Sequence, residues 1–265
     1  AYKHVPLMEQ NPRSAVLTNI LGTYIVAKSA ALVGVEAFIL VSTDKAVRPA
    51  NVMGATKQIA ERIILHLQEE YPSTSFGAVR FGNVLGSSGS VIPLFKRQLE
   101  NGEPLTLTHQ DVTRYFMTIP EAVQLILKAS ILDSFPGQVA MLDMGEPIKI
   151  LDLARNLLRL SGRQFRMGEN VIVTGLRPGE KMHEELAAPD ETVYATEERR
   201  VFLVETSKEF SEIPHRLRAS LENADGPSLL DFLVEEFVAV DNQLSALKDL
   251  GSTLTMAGSK VEFES

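Results

Sequence analysis

Apolar residues recur at helical spacing after Asn11-Pro12, at Val16, Ile20, Tyr24 and Ala27, and the pattern stops near Gly34. Asn caps free N–H groups and Pro suits the first helical position, so a helix is predicted to start there. The run AFILVS, residues 37–42, is continuous and apolar, as in strands buried on both faces of a parallel sheet. The polar loop TDKAVRPAN leads to a second helix from near Val52, with Ala60, Ile63, Ile64 and Leu67 along one side. FGAVRF, residues 76–81, is the next strand. Helix and strand alternate, which predicts an α/β fold: a Rossmann-like, doubly wound parallel sheet covered by helices.

The alternation continues through a Gly/Ser loop from Gly82 to Ser90, a helix from about Ile92 to Glu100, and the strands PLTLT and VTRYFMT. A helix led by Pro120, a strand VAMLDM and a helix from Leu151 to Leu160 follow. Beyond Gly168 the regularity weakens: NVIVTGLRPGEKMHEEL reads as strand, loop and short helix, RVFLVE as a strand, and residues 228–248 as an amphipathic helix. The opening AYKHVPLMEQNP reads as the tail of a strand. The expected division is a Rossmann body over 1–165 with some substrate-lobe segments interleaved, a smaller mixed α/β substrate lobe with a C-terminal helix over 166–250, and a flexible tail over 251–265.

Composition narrows the function classes. Twenty-six Lys plus Arg against 34 Asp plus Glu give a net charge of −8, and no basic run forms a polyanion stripe, so nucleic acid is not an expected partner. With no Cys, a disulfide scaffold, a thiolate metal site and a Cys nucleophile are excluded, and a cytoplasmic setting is expected. The five His lack metal-ligand spacing, and no metal site is expected. The apolar stretches are strand-sized, so no membrane-spanning segment is expected. No G-x-G-x-x-G turn precedes residue 37, and the chain lacks an initiator Met. It is therefore expected to be a piece of a longer protein, unless it binds no dinucleotide at all.

Three stretches carry candidate chemistry. Ser42-Thr43-Asp44-Lys45 ends a strand, where open α/β sheets form their ligand crevice, and Met53 and Lys57 share a face of the next helix. Adjacent Asp and Lys can divide acid and base work; a capping Asp beside a solvated Lys is the competing reading. Arg80 through Ser90 and Val91 runs from strand through glycines into a helix start, a natural seat for a diphosphate or an ordinary Gly/Ser connection. Gly175 through Lys181 presents Arg177 and Glu180 on a Pro/Gly-stiffened loop, suited to phosphate and sugar hydroxyls, or to a plain surface turn.

The stretches AYKHVPLMEQNP, NILGT, VSTDKAVRPANVMGATK, RFGNVLGSSGSVIPLF, VTRYFMTIPEAVQLIL and GLRPGEKMHEEL, in this order over roughly residues 1–190, closely resemble the capsular-polysaccharide/flagellin-glycosylation family of nucleotide-sugar 4,6-dehydratases, within the extended short-chain dehydrogenases/reductases. The resemblance implies NAD as cofactor, a UDP-sugar substrate, UDP-N-acetylglucosamine above others, a homo-oligomer, and upstream of Ala1 the cofactor-phosphate half of the Rossmann domain. Long family members also carry membrane helices upstream, so the parent is expected at the cytoplasmic face of a membrane.

By the same resemblance Asp44 is the acid at C6 of the hexose, Lys45 the base at C5, and Thr43 lies against C4. Lys57 holds the nicotinamide ribose, with Lys3, Ser42 and Arg80 as further cofactor contacts. Asn83, Ser90, Val91, Arg114, Arg177 and Glu180 meet the UDP-sugar. Met53 stands where most of the superfamily has the Tyr that accepts the hydroxyl proton, which matches a Met-type subgroup expected to retain configuration at C5. The proton acceptor at C4 is then Thr43, Asp44 or a water. A UDP-hexose 4-epimerase and a non-catalytic sugar-nucleotide-binding or assembly module are the alternatives.

Overall fold

The computed structural model describes residues 1–205 and 213–238. Five strands make the main sheet in the order Ala37–Val41, Ser75–Arg80, Val139–Leu142, Val201–Glu205, Thr192–Ala195. The first three run parallel and the last two antiparallel. Residues from both sides of position 165 therefore share one sheet. Ser75–Arg80 is an interior strand of this sheet, buried from Phe76 to Arg80 on both faces. Gly77 is required there, because a Cβ would lie 2.4 Å from the Phe135 ring that covers it.

Ala37–Val41 departs from its expected two-faced burial: Ala37 and Val41 are exposed, and among the described residues the strand pairs with Ser75–Arg80 alone. The opening residues are likewise not strand. Val5–Gln10 is a helix with Pro near its start, and the next helix runs from Pro12 to Leu32 through a π-turn at Val16–Leu21. Asn11 does not cap this helix as expected; its amide donates backward to Leu7 O.

Pro12–Leu32 is long and apolar enough to cross a membrane by length and composition, contrary to the expectation that apolar stretches are strand-sized. Single polar residues interrupt its runs without lowering its average. Here Ala15, Val16, Ile20, Tyr24 and Ala27 are buried in a core shared with the helix Val52–Glu70. The helices His215–Glu222 and Gly226–Val238 cover the same core through Leu217, Leu221, Leu229 and Leu233. The expected end of the last helix, and the tail, fall outside the described residues.

A second core gathers Phe95, Leu105, Leu107, Val112, Ile150, Ala154, Leu158 and Val171. It joins the helices Val91–Glu100 and Ile150–Leu160 to a parallel pair, Leu105–Leu107 with Val171–Val173. In Ile150–Leu160 the buried residues Ile150, Ala154 and Leu158 recur every fourth position, the period that puts one stripe on the core. VTRYFMT divides into two short strands: Thr113–Arg114 pairs with Ile148–Lys149, and Phe116–Met117 with Asn83–Val84. GEKMHEEL is not the expected helix but an irregular segment. It lies between the two cores, where its side chains serve the cleft rather than a repeating apolar face.

Candidate active site

A cleft of about 650 Å³ opens beyond the carboxyl ends of the parallel strands, between the two cores. Its floor is the end of Ala37–Val41 and the tight turn Asp44–Ala46. Thr43 caps that turn, its Oγ1 accepting from Lys45 N at 3.4 Å. The helix Val52–Glu70 starts against the turn, with Asn51 Oδ1 accepting from Gly54 N at 2.8 Å and Glu9 Oε1 from Val52 N at 2.7 Å. Gly54 makes the approach possible, because a Cβ there would stand 2.2 Å from Lys45 O. Asn51 Nδ2 donates to Gly179 O at 3.0 Å, so the helix start also fixes the Arg177/Glu180 loop.

Twelve of the fourteen expected site residues line this cleft: Lys3, Ser42, Thr43, Lys45, Met53, Lys57, Asn83, Ser90, Val91, Arg114, Arg177 and Glu180. Two do not. Asp44 is fully buried behind Thr43 and Lys45, with Oδ1 accepting from Thr43 Oγ1 at 2.9 Å and Lys45 Nζ at 3.0 Å, while Oδ2 has no partner among the described residues. Asp44 therefore stands one layer behind the cleft lining, with its carboxylate under Gly82. Arg80, expected against the cofactor, is held in the interior by Glu61 and Glu191, whose carboxylates occupy its whole guanidinium.

Glu61 and Glu184 are the acidic residues that the sequence reading overlooked. Glu61 Oε1 also accepts from Ser42 Oγ at 2.5 Å, so the Arg80 ion pair orients the Ser42 hydroxyl at the cleft. Its signal was position: Glu61 follows Lys57 by one helical turn. Glu184 lies in an irregular segment with no period to mark it; its side chain is 4% exposed and its Oε1 stands 3.5 Å from Lys45 Nζ.

Electrostatics separate the two lysines. Burial pushes the Lys57 amine toward its neutral form, with Glu61 opposing, and its Nζ donates to Val41 O at 2.7 Å. Burial acts the same way on Lys45, but Asp44 and Glu184 outweigh it and raise its pKa above the ordinary lysine value. Across the cleft, Arg114 donates to Glu180 Oε1 at 2.9 Å and to the carbonyls of Thr113 and Met182. Thr108 Oγ1 also donates to Glu180 Oε1, at 2.9 Å. Arg177 is exposed at the rim. Lys3 Nζ donates to Ser88 O at 2.9 Å, strapping the N-terminal segment over the Gly/Ser loop. The loop ends at Ser90, whose buried Oγ has no hydrogen-bond partner among the described residues, beside the start of Val91–Glu100. Among the described residues no group of His, Asp and Glu could hold a metal ion.

A sheet whose parallel strands end at such a turn, with a Lys on the following helix, defines a Rossmann-fold short-chain dehydrogenase/reductase body. The family profile described as "Polysaccharide biosynthesis protein" matches residues 1–206, and the chain belongs to that family. It is 59% identical over 191 residues to the capsular polysaccharide biosynthesis protein CapD of Staphylococcus aureus, covering 72% of this chain and 32% of that protein. The chain thus spans about a third of that relative's length. At similar, lower identity stand a UDP-N-acetylglucosamine 4,6-dehydratase (inverting) of Campylobacter jejuni, 33% over 79% of this chain and 61% of that one, and a UDP-glucose 4-epimerase of Rickettsia bellii, 34% over 74% and 56%. Among solved structures, Pen from Bacillus thuringiensis superposes with a TM-score of 0.69 at 36% identity, covering 78% of this chain and 64% of that chain.

Proposed function

We propose that this chain is the catalytic and sugar-binding portion of an NAD-dependent nucleotide-sugar 4,6-dehydratase acting on UDP-N-acetylglucosamine, with retention at C5. The observation that carries the reading is the hydrogen-bonded series Thr43–Asp44–Lys45, which presents a hydroxyl and an amine to the cleft from one buried carboxylate. The cleft fits the nicotinamide end of a dinucleotide: Lys57 is 6% exposed and opens onto it beside Ser42 and Thr43. Bound NAD⁺ supplies reversible hydride acceptance, from C4 of the hexose and back to C6.

Thr43 takes the C4 hydroxyl proton and passes its own to Asp44, since a thioether at Met53 accepts no proton. Lys45, once it has given up its ammonium proton, takes the C5 proton made acidic by the C4 ketone. The C6–O bond breaks, and the proton held on Asp44 leaves through Thr43 with the hydroxyl as water. The proton on Lys45 returns to C5 as C6 is reduced. One water is lost and no net oxidation occurs. The diphosphate rests on Asn83, Ser90 and the start of Val91–Glu100, where free N–H groups favour an anion, with Arg114 and Arg177 facing it. Glu180 meets the uridine ribose.

The reaction belongs in the cytoplasm, in agreement with a Cys-free chain. The second reading, a UDP-hexose 4-epimerase, draws on the Rickettsia relative. It needs no acid and base at C5 and C6, and it lacks the Tyr proton acceptor here. Incubation of the full-length protein with UDP-N-acetylglucosamine, followed by mass spectrometry, tests both. A product lighter by one water is expected; in heavy water, NMR should find deuterium at C5 to the extent that the Lys45 ammonium exchanges before it returns a proton, and NMR also reads the C4 configuration. A product of unchanged mass but altered C4 configuration establishes the epimerase, and unaltered substrate removes both.

A further inference from the structure

We infer that Glu184 is a positioning residue for Lys45, its carboxylate clamping the amine at the cleft wall between Asp44 and Asn83. The inference rests on the reading of Lys45 as the C5 base and deepens it.

Two hydrogen-bond acceptors and one further carboxylate at ion-pair distance surround the Lys45 ammonium. Asp44 Oδ1 lies at 3.0 Å from the strand-end turn, Asn83 Oδ1 at 3.4 Å from the Gly/Ser loop, and Glu184 Oε1 at 3.5 Å from the irregular segment after Gly179. Each comes from a different part of the chain, so together they fix the amine in three directions. A carboxylate this buried is costly without a cation. Two cations approach Glu184, Lys45 and Arg114, the latter at 3.9 Å. Arg114 is already engaged by Glu180 and by two carbonyls, which leaves Lys45 as the main partner. Glu184 Oε2 has no partner among the described residues, so the carboxylate is not anchored for its own sake.

The clamp has a charge consequence. Facing Lys45 are the anions Asp44 and Glu184 and the cation Arg114, while the helix Val52–Glu70 packed on the turn carries Lys57, bonded to Val41 O, and Glu61, bonded to Arg80. With the two anions in place the amine keeps its proton in the empty cleft, and dehydration turns on only as pH rises far enough to free it. Removing the Glu184 charge lets that proton go at lower pH.

The test is a Glu184→Gln variant read in two ways. In the chain labelled with ¹³C-lysine, with Lys45→Arg used to assign the signal, the Lys45 ε-carbon titration midpoint should fall by about one unit or more. In the full-length protein, the acid limb of kcat against pH should move down by a similar amount. A purely structural Glu184 would lower kcat at every pH and leave the limb in place; an unmoved Lys45 midpoint overturns the clamp. If the glutamine variant does not fold, Glu184→Asp, which draws the carboxylate back by one methylene, should move the midpoint in the same direction by less. A shifted midpoint in a protein that dehydrates no UDP-sugar leaves the clamp standing and removes the proposed reaction. Dehydration with an unshifted midpoint does the reverse.

Discussion

Arg80 and Glu61 meet face to face in the interior, the guanidinium 1% exposed and the carboxylate 0%, with Arg80 Nη2 and Nε donating to Glu61 at 2.8–3.1 Å. Burial alone would favour a neutral guanidinium; Glu61 and Glu191 outweigh it and hold the charge. The pair links the strand Ser75–Arg80 to the helix that carries Lys57, and through Ser42 it reaches the cleft. Glu61→Gln leaves the buried Arg80 charge to Glu191 alone, and should cost up to about 3–5 kcal/mol of stability. Urea denaturation checks this, and an unchanged midpoint would show that the ion pair is dispensable.

Thr43 is the hydroxyl through which the buried Asp44 reaches the cleft. Thr43→Val keeps the shape and removes that hydroxyl. In the full-length protein kcat should fall by roughly 10²–10⁴, the usual weight of a proton-transfer group. UDP affinity, measured by calorimetry, should hold. Retained turnover would mean that a water, not Thr43, carries the C4 proton.

His66 sits on the helix Val52–Glu70 with both ring nitrogens buried and without hydrogen bonds among the described residues. Burial and the nearby Arg218 lower its pKa, against smaller opposing contributions from Glu70 and Glu69. The unfolded chain then binds a proton in a range where the folded chain does not, so stability rises with pH in that range. As pH falls from about 6.5, the ordinary histidine value, toward the lowered folded value, His66 should withdraw stability. His66→Gln should remove this part of the slope between pH 7 and 5 in matched denaturation curves. Parallel curves for the two proteins would sink the idea.

Much of the architecture was legible because period and punctuation act locally. The strand at residues 75–80, the helix starting at Val52 and the helix led by Pro120 fall where their apolar spacing and Pro/Asn signals put them. Asn51 and Thr118 cap as residues of their type do. The errors came where a partner far along the chain decides the outcome. A continuous apolar run does not reveal what covers each face, so Ala37–Val41 read as buried on both faces although Ala37 and Val41 are exposed. GEKMHEEL has helical composition, yet its side chains are spent on distant partners: Lys181 Nζ donates to Val47 O and, at the cleft, Glu180 accepts from Arg114.

The sequence by itself determined the fold class, the family and the order of the chemical groups along the chain, since these depend on residue type and short-range spacing. Only the tertiary structure decided which side of a charge each group faces. It turned Arg80 inward onto Glu61 and Glu191, set Asp44 behind Thr43, and brought Glu184 from 139 positions away to within 3.5 Å of Lys45. Ion pairs inside a protein are chosen by how the elements pack and by how little water remains between them, and no local pattern records either.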